Sequence, residues 1–230
     1  MNKIAIVANT QFQDLYNISR SFYANLPYEQ RSVSGRNHFY SMKFLNHVIT
    51  DPTFQSVDIM VYVDEDCFIV NPIALEALIE YFIDNNLDCI GMPDGGVVKM
   101  RYHSPVAINQ FFCILNLKSI REKYNASEVE STRYTDDLAQ YAPQHLMRFK
   151  YAYDDFEDYY QLFLWMIKNN FRVYYLDAEC SPLDGKTTIL KNHNNEIFAY
   201  HTWYGRDWNN SHKARITNII EHCKQLRWNS

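Results

Sequence analysis

Apolar positions recur along this chain in two rhythms, and each predicts a different kind of element. Short unbroken apolar runs between polar turns are the pattern of strands covered on both faces, whereas apolar residues spaced by three and four mark one face of a helix. Residues 3–8 (KIAIVA) predict a buried first strand that stops at the polar pair Asn9-Thr10. Residues 37–49 place Phe39, Met42, Leu45 and Ile49 at helical spacing. Residues 58–63 (DIMVYV) predict a second buried strand, which runs straight into Asp64-Glu65-Asp66. Asn71 followed by Pro72 is a helix start, with Asn as N-cap and Pro at the first helical position, and it leads into a helix over 73–85. Residues 87–92 and 109–117 read as a third and a fourth strand, the third running out into Pro93-Asp94-Gly95-Gly96.

The second half is less regular. Residues 118–147 are polar and without a clear period, which reads as an insertion shaping one side of a cleft. Residues 156–167 are apolar on nearly every face and predict a buried helix, 171–176 a late strand and 211–227 a polar closing helix. Strands alternating with helical patterns, with no repeat or linker, define an α/β domain. The 230 residues suit a single core better than two small ones.

Composition narrows the ligand. The formal charge is -5 and no stretch is strongly basic, so a broad nucleic-acid footprint is excluded and an anionic ligand has to be met locally, with a metal. Aromatic residues make up 16% of the chain, including 18 Tyr and 4 Trp. Most of them fill the core, but such rings also suit stacking on a base or on the apolar face of a sugar. Cys67, Cys89, Cys113, Cys180 and Cys223 are odd in number and lack any C-x-x-C pair, which points to a reducing compartment. The apolar run at 4–8 is too short for a signal-peptide core or a membrane span. The expectation is a cytoplasmic protein without a transmembrane segment, able to lie peripherally at a membrane to reach its acceptor.

Asp64 and Asp66 stand two residues apart where a buried strand emerges, and ligands collect at the carboxyl ends of such strands. Two carboxylates there can hold Mn²⁺ or Mg²⁺, whose other positions take water and phosphate oxygens. This stretch resembles the D-x-D signature of GT-A glycosyltransferases. Three further segments agree: 111–117 (FFCILNL) resembles the strand of that fold with an Asn near its end; Glu157-Asp158, the helix after it and 170–177 resemble its Glu-Asp, helix, strand pattern; and 200–206 (YHTWYGR) resembles its C-terminal His segment.

The resemblance implies a single GT-A-like domain with a mixed, mostly parallel central sheet flanked by helices. Residues 1–100 would bind the nucleotide sugar and 101–230 the acceptor. It implies a metal held by Asp64, Asp66 and His201, and a UDP- or GDP-sugar donor contacted by Asn9, Thr10, Asp14, Arg36, Trp203 and Arg206. The acceptor would be the hydroxyl of a glycan or glycoconjugate, with Asp158, or failing it Glu157, as catalytic base. The Glu-Asp pattern departs from the family 2 form, lacking Gly before it and Arg after it.

Each residue also has a plainer reading. Asp154 or Asp155 can cap the helix with Glu157 or Asp158 closing a capping box, Asn9, Thr10 and Asp14 can be turn formers and a cap, and Asp94-Gly95-Gly96 is either a flexible turn or a loop that lets a sugar approach the backbone. Two rival functions fit the triplet: a haloacid-dehalogenase-like Mg²⁺ phosphatase, which normally carries Thr or Val where this chain has Phe68, and a non-catalytic carbohydrate- or nucleotide-binding module.

Overall fold

The computed structural model describes residues 2–36 and 40–228. The chain opens with β1 (Ile4–Thr10), α1 (Gln13–Ser21), β2 (Glu29–Ser34) and α2 (Met42–Thr50). Then come β3 (Ile59–Val63), β4 (Cys67–Ile69), α3 (Pro72–Asp84), β5 (Cys89–Pro93) and β6 (Ile108–Asn116). Three helices follow, α4 (Leu117–Lys123), α5 (Ala126–Ser131) and α6 (Tyr160–Lys168), and the chain ends with β7 (Val173–Tyr175), β8 (Ala178–Cys180), β9 (Thr188–Lys191), β10 (Ile197–His201) and α7 (Lys213–Trp228).

Six strands form the central sheet in the order β2-β1-β3-β6-β5-β7. Every neighbouring pair is parallel except the two that involve β6, so a single reversed strand sits inside a parallel sheet. This is a mixed, mostly parallel sheet flanked by helices. Both faces are covered, which is why the strands read as unbroken apolar runs. Along β3, Ile59, Val61 and Val63 face a core built with α1, α3 and α7, while Met60 and Tyr62 face one built with α2, α4, α5 and α6. A second, antiparallel sheet, β4-β10-β9-β8, packs on the first of these sides. Among the described residues no helix is long and apolar enough to cross a membrane, and all five cysteines are free.

The predicted strands at 3–8, 58–63, 87–92, 109–117 and 171–176 are present, as is the helix after Asn71, whose Oδ1 accepts from the Ala74 N–H at 3.1 Å. The helix predicted over 37–49 is seen as α2; Asn37 and Phe39 lie outside the described residues. The irregular stretch 118–147 is not loose: α4, α5 and two short 3₁₀ turns bury Ile120, Val129, Leu138 and Leu146. The helix predicted from 156 begins only at Tyr160, and no capping box forms. Its candidate members are engaged elsewhere. Asp155 accepts from the Tyr134 N–H (2.9 Å), Asp154 pairs with His103 Nδ1 (2.9 Å), Glu157 with Arg101 Nη2 (3.0 Å), and Asp158 accepts from the Ser41 hydroxyl.

Candidate active site

The acidic triplet opens where β3 ends, and the chain then re-enters a strand at once as β4. The Asp64 N–H donates to the Phe111 carbonyl of β6 at 2.9 Å, which continues the ladder one residue past β3. β4 pairs with β10 so that Cys67 lies opposite His201. This pairing carries His201 across the fold to Asp66, with Nε2 3.1 Å from Oδ1. The Thr202 N–H and hydroxyl hold the Asp66 carbonyl at 3.0 and 3.3 Å, and the hydroxyl also reaches Oδ2 at 3.2 Å. The His201 ring lies flat on Phe111, with centroids 4.1 Å apart, and meets Trp203 edge-on at 4.4 Å.

One potential ligand atom from each of Asp64, Asp66 and His201 falls within 4.8 Å of the other two. Burial pushes the Asp64 carboxyl up to about 6, helped by the charge of Asp66. Burial works in the same sense on Asp66, but the facing His201 outweighs it and holds that carboxyl below its usual range. Two crowded carboxylates and an imidazole, all removed from water, are a donor set that fits a divalent cation.

Glu65, the middle residue, also lines the cleft but turns one carboxyl oxygen to the loop after β1. Its Oε2 accepts from the N–H groups of Gln11 and Phe12, both at 2.8 Å, just before α1, so it ties the loop after β1 to the site. It is 5% exposed, and burial with the neighbouring Asp64 charge lifts its carboxyl to about 8. Glu65→Ala leaves two backbone donors unpaired and is expected to cost about 1–3 kcal/mol in urea unfolding, whereas Glu65→Gln keeps an acceptor and most of that stability. Equal losses in the two variants would show that the side chain contributes no such bonds.

The triad lies in a cleft of about 380 Å³. Trp203, Tyr204 and Gly205 cross its mouth in a tight turn, with φ of 58° at Trp203 and 62° at Tyr204, a conformation non-glycine residues adopt at a cost. The turn is held from outside: Arg215 Nη2 donates to the Trp203 carbonyl (2.8 Å) and Trp203 Nε1 to Thr188 Oγ1 (2.8 Å). A Cβ at Gly205 would sit 3.0 Å from Asp66 Cγ, so a larger residue there has to push that side chain back by a few tenths of an ångström. Next along, the Arg206 guanidinium lies over the Tyr40 ring at 4.5 Å.

The opposite wall rests on Asp94. This fully buried carboxylate receives Arg101 Nε (2.7 Å) and Nη2 (2.5 Å), together with the Asn109 amide and the Tyr160 hydroxyl. Burial raises its pKa, and Arg101 and Asn109 oppose the rise. Neither reading of Asp94-Gly95-Gly96 holds. The two glycines are packing positions, since a Cβ at Gly95 would meet the His103 carbonyl at 1.9 Å and Gly96, at φ 84°, backs onto Met147.

Of the residues expected from the sequence, Asn9, Asp64, Asp66, Glu157, His201, Trp203 and Arg206 line the cleft. Thr10 is buried at the end of β1, Asp14 accepts from Trp208 Nε1 at 2.8 Å, Arg36 is exposed after β2, and Asp158 is exposed beside Ser41; none of these four lines it. Sequence reasoning missed Arg101, Tyr62 and Asn109. The strand at 109–117, β6, borders the cleft through Asn109, Gln110 and Phe111 at its start, whereas Asn116 near its end caps α4. The reversal of β6 decides this, and no local pattern signals that reversal.

The chain matches no protein-family model and no curated protein sequence. Solved structures similar to it include A197 from STIV, at 12% identity and TM-score 0.46 over 86% of this chain and 93% of that one. A glycosyltransferase involved in the glycosylation of the major capsid of PBCV-1 follows, at 13% identity and TM-score 0.33 over 65% of this chain and 79% of that one. Mouse xyloside xylosyltransferase 1, in its apo form, matches at 11% identity and TM-score 0.38 over 76% of this chain and 72% of that one.

Proposed function

We propose that this chain is a metal-dependent glycosyltransferase that moves a sugar from a UDP- or GDP-sugar to a hydroxyl of a glycan or glycoconjugate. The observation that supports this best is the gathering of Asp64, Asp66 and His201 within 4.8 Å on the floor of a cleft at the carboxyl ends of β1 and β3. These three side chains would hold Mn²⁺ or Mg²⁺, which when bound neutralises charge on the departing diphosphate. Asn9, Trp203 and Arg206 line the cleft, where Asn9 meets the nucleoside, Trp203 offers a ring to stack on and Arg206 meets phosphate. Residues 1–100 supply most of the donor side and 101–230 the acceptor side, with the 201–206 segment reaching back over the donor.

In the reaction, the bond from the anomeric carbon to the diphosphate oxygen breaks and its electron pair leaves with the nucleoside diphosphate. A bond forms to the acceptor oxygen, whose proton passes to a carboxylate. Glu157 lines the cleft and Asp158 does not, so for an inverting displacement Glu157 is our choice of base over Asp158. A phosphatase reading has little to stand on. Phe68, where that chemistry calls for a hydroxyl or small residue, is wholly buried in β4. The five free thiols suit a cytoplasmic site of action.

Calorimetry with UDP and GDP, in Mn²⁺ and then in EDTA, tests this reading. One nucleotide is expected to bind in Mn²⁺, with affinity falling at least about tenfold once the ion is removed. Equal affinity under both conditions would refute it.

A further inference from the structure

Just outside the cleft, three rings are stacked like plates. Tyr102 and His103 lie 4.5 Å apart, and His103 and Phe156 lie 3.7 Å apart at 10°. The middle ring is buried and its Nδ1 is fixed by Asp154. The outer two are unusually open for aromatic side chains, Tyr102 at 57% and Phe156 at 59%. Large rings are normally covered, and a contiguous exposed group beside a cleft marks a contact site. The mount is rigid: Tyr102 forms a bridge with Gly95, and the Ala152 N–H donates to the His103 carbonyl at 3.4 Å, which straps the chain before Phe156 onto the same support.

The stack is also continuous with the site. The Arg101 guanidinium lies over Phe156 at 5.7 Å and over Trp203 at 5.6 Å, and Trp203 touches His201. Rings bridged by the Arg101 guanidinium therefore run from the triad outward to Phe156. Four carboxylates, Asp154, Asp155, Glu157 and Asp158, flank Phe156, against the exposed cations Lys99 and Lys150 in the neighbouring segments, while Arg101 is already engaged by Asp94 and Glu157. With carboxylates outnumbering free cations, this surface does not favour a polyanion. A neutral polyol is accommodated, since its hydroxyls can donate to carboxylates while its C–H face lies on a ring.

We propose that Tyr102 and Phe156 form an outer acceptor subsite that holds a neutral sugar unit of an oligosaccharide whose terminal hydroxyl reaches Glu157. The acceptor is thus an extended neutral glycan rather than a monosaccharide or a charged one. This rests on the glycosyltransferase reading of the cleft.

The test uses the full chain with Mn²⁺ and the nucleoside diphosphate that binds it. Its probes are immobilised neutral oligosaccharides of one to four glucose, galactose or mannose units. Wild-type protein is expected to be retained more strongly as length increases. Phe156→Ala and Tyr102→Ala are expected to weaken retention roughly tenfold, with Phe156→Trp restoring it and nucleotide affinity unchanged throughout. Nucleotide binding that needs Mn²⁺, combined with no retention of any probe or with equal retention by wild type and both alanine variants, would overturn the subsite and leave the cleft reading intact. Absence of nucleotide binding would overturn both.

Discussion

Asp66→Ala is expected to remove metal-dependent nucleotide binding altogether while leaving the protein folded. Asp66 is 3% exposed, faces His201 Nε2 at 3.1 Å and shares with Asp64 a pocket in which the two carboxylates repel. Losing a partner behind a metal ligand already costs 10- to 100-fold in affinity, so losing a ligand itself is expected to cost at least about 10²-fold. In calorimetry with Mn²⁺ the nucleotide should fall to the weak affinity that wild type shows in EDTA. Asp66 also pairs with buried His201 and accepts from the Thr202 hydroxyl, and its carboxyl is held below the usual range, so the ionised group stabilises the metal-free fold. The melting temperature without metal is therefore expected to fall, and its increase on adding Mn²⁺ to disappear. A variant that still gains stability from Mn²⁺ as wild type does would take Asp66 out of the metal site, and with it the main support for the proposed chemistry.

Glu157→Gln is expected to lower turnover by roughly 10²-fold or more with donor affinity unchanged, because the amide keeps the size and the contact with Arg101 but cannot take a proton. The side chain is 32% exposed and its ion pair is only part of the Arg101 network, so the melting temperature should stay within a few degrees of wild type. Asp158→Asn, which alters a carboxylate bonded to Ser41 and outside the cleft lining, is expected to change turnover less than tenfold. The reverse pattern would make Asp158 the base. Near-normal turnover in both folded variants would leave no carboxylate base at this position and favour a retaining displacement.

The pair also shows what the sequence could and could not convey. The triplet was legible because a strand buried on both faces is written as an unbroken apolar run, and its end is visible where Val63 gives way to Asp64. His201 was legible through its company, a histidine followed by Trp203, Tyr204 and Arg206. The elements that bring it to Asp66 were not, since β4 is three residues long and β9 and β10 are four and five. Such segments are defined by their partners rather than by their own periodicity. Arg101 and Asp94 were hidden for a related reason. Each is an ordinary charged residue in sequence, and only the closing of the 94–102 loop on itself makes one the buried counterion of the other.

The β4–β10 pairing also sets when the site can come into being. Cys67 and His201 are paired across most of the chain, whereas the strands that carry Asp64 and Asp66 are made early. A contact of such long range closes late, after the costly ordering of everything between its ends. During synthesis the carboxylates emerge from the ribosome well before their imidazole, so a growing or truncated chain lacks the complete ligand set until the last third has docked. Assembly of the centre is in this sense a checkpoint on the whole domain: a polypeptide in which these three side chains have met has already brought its last strands into place.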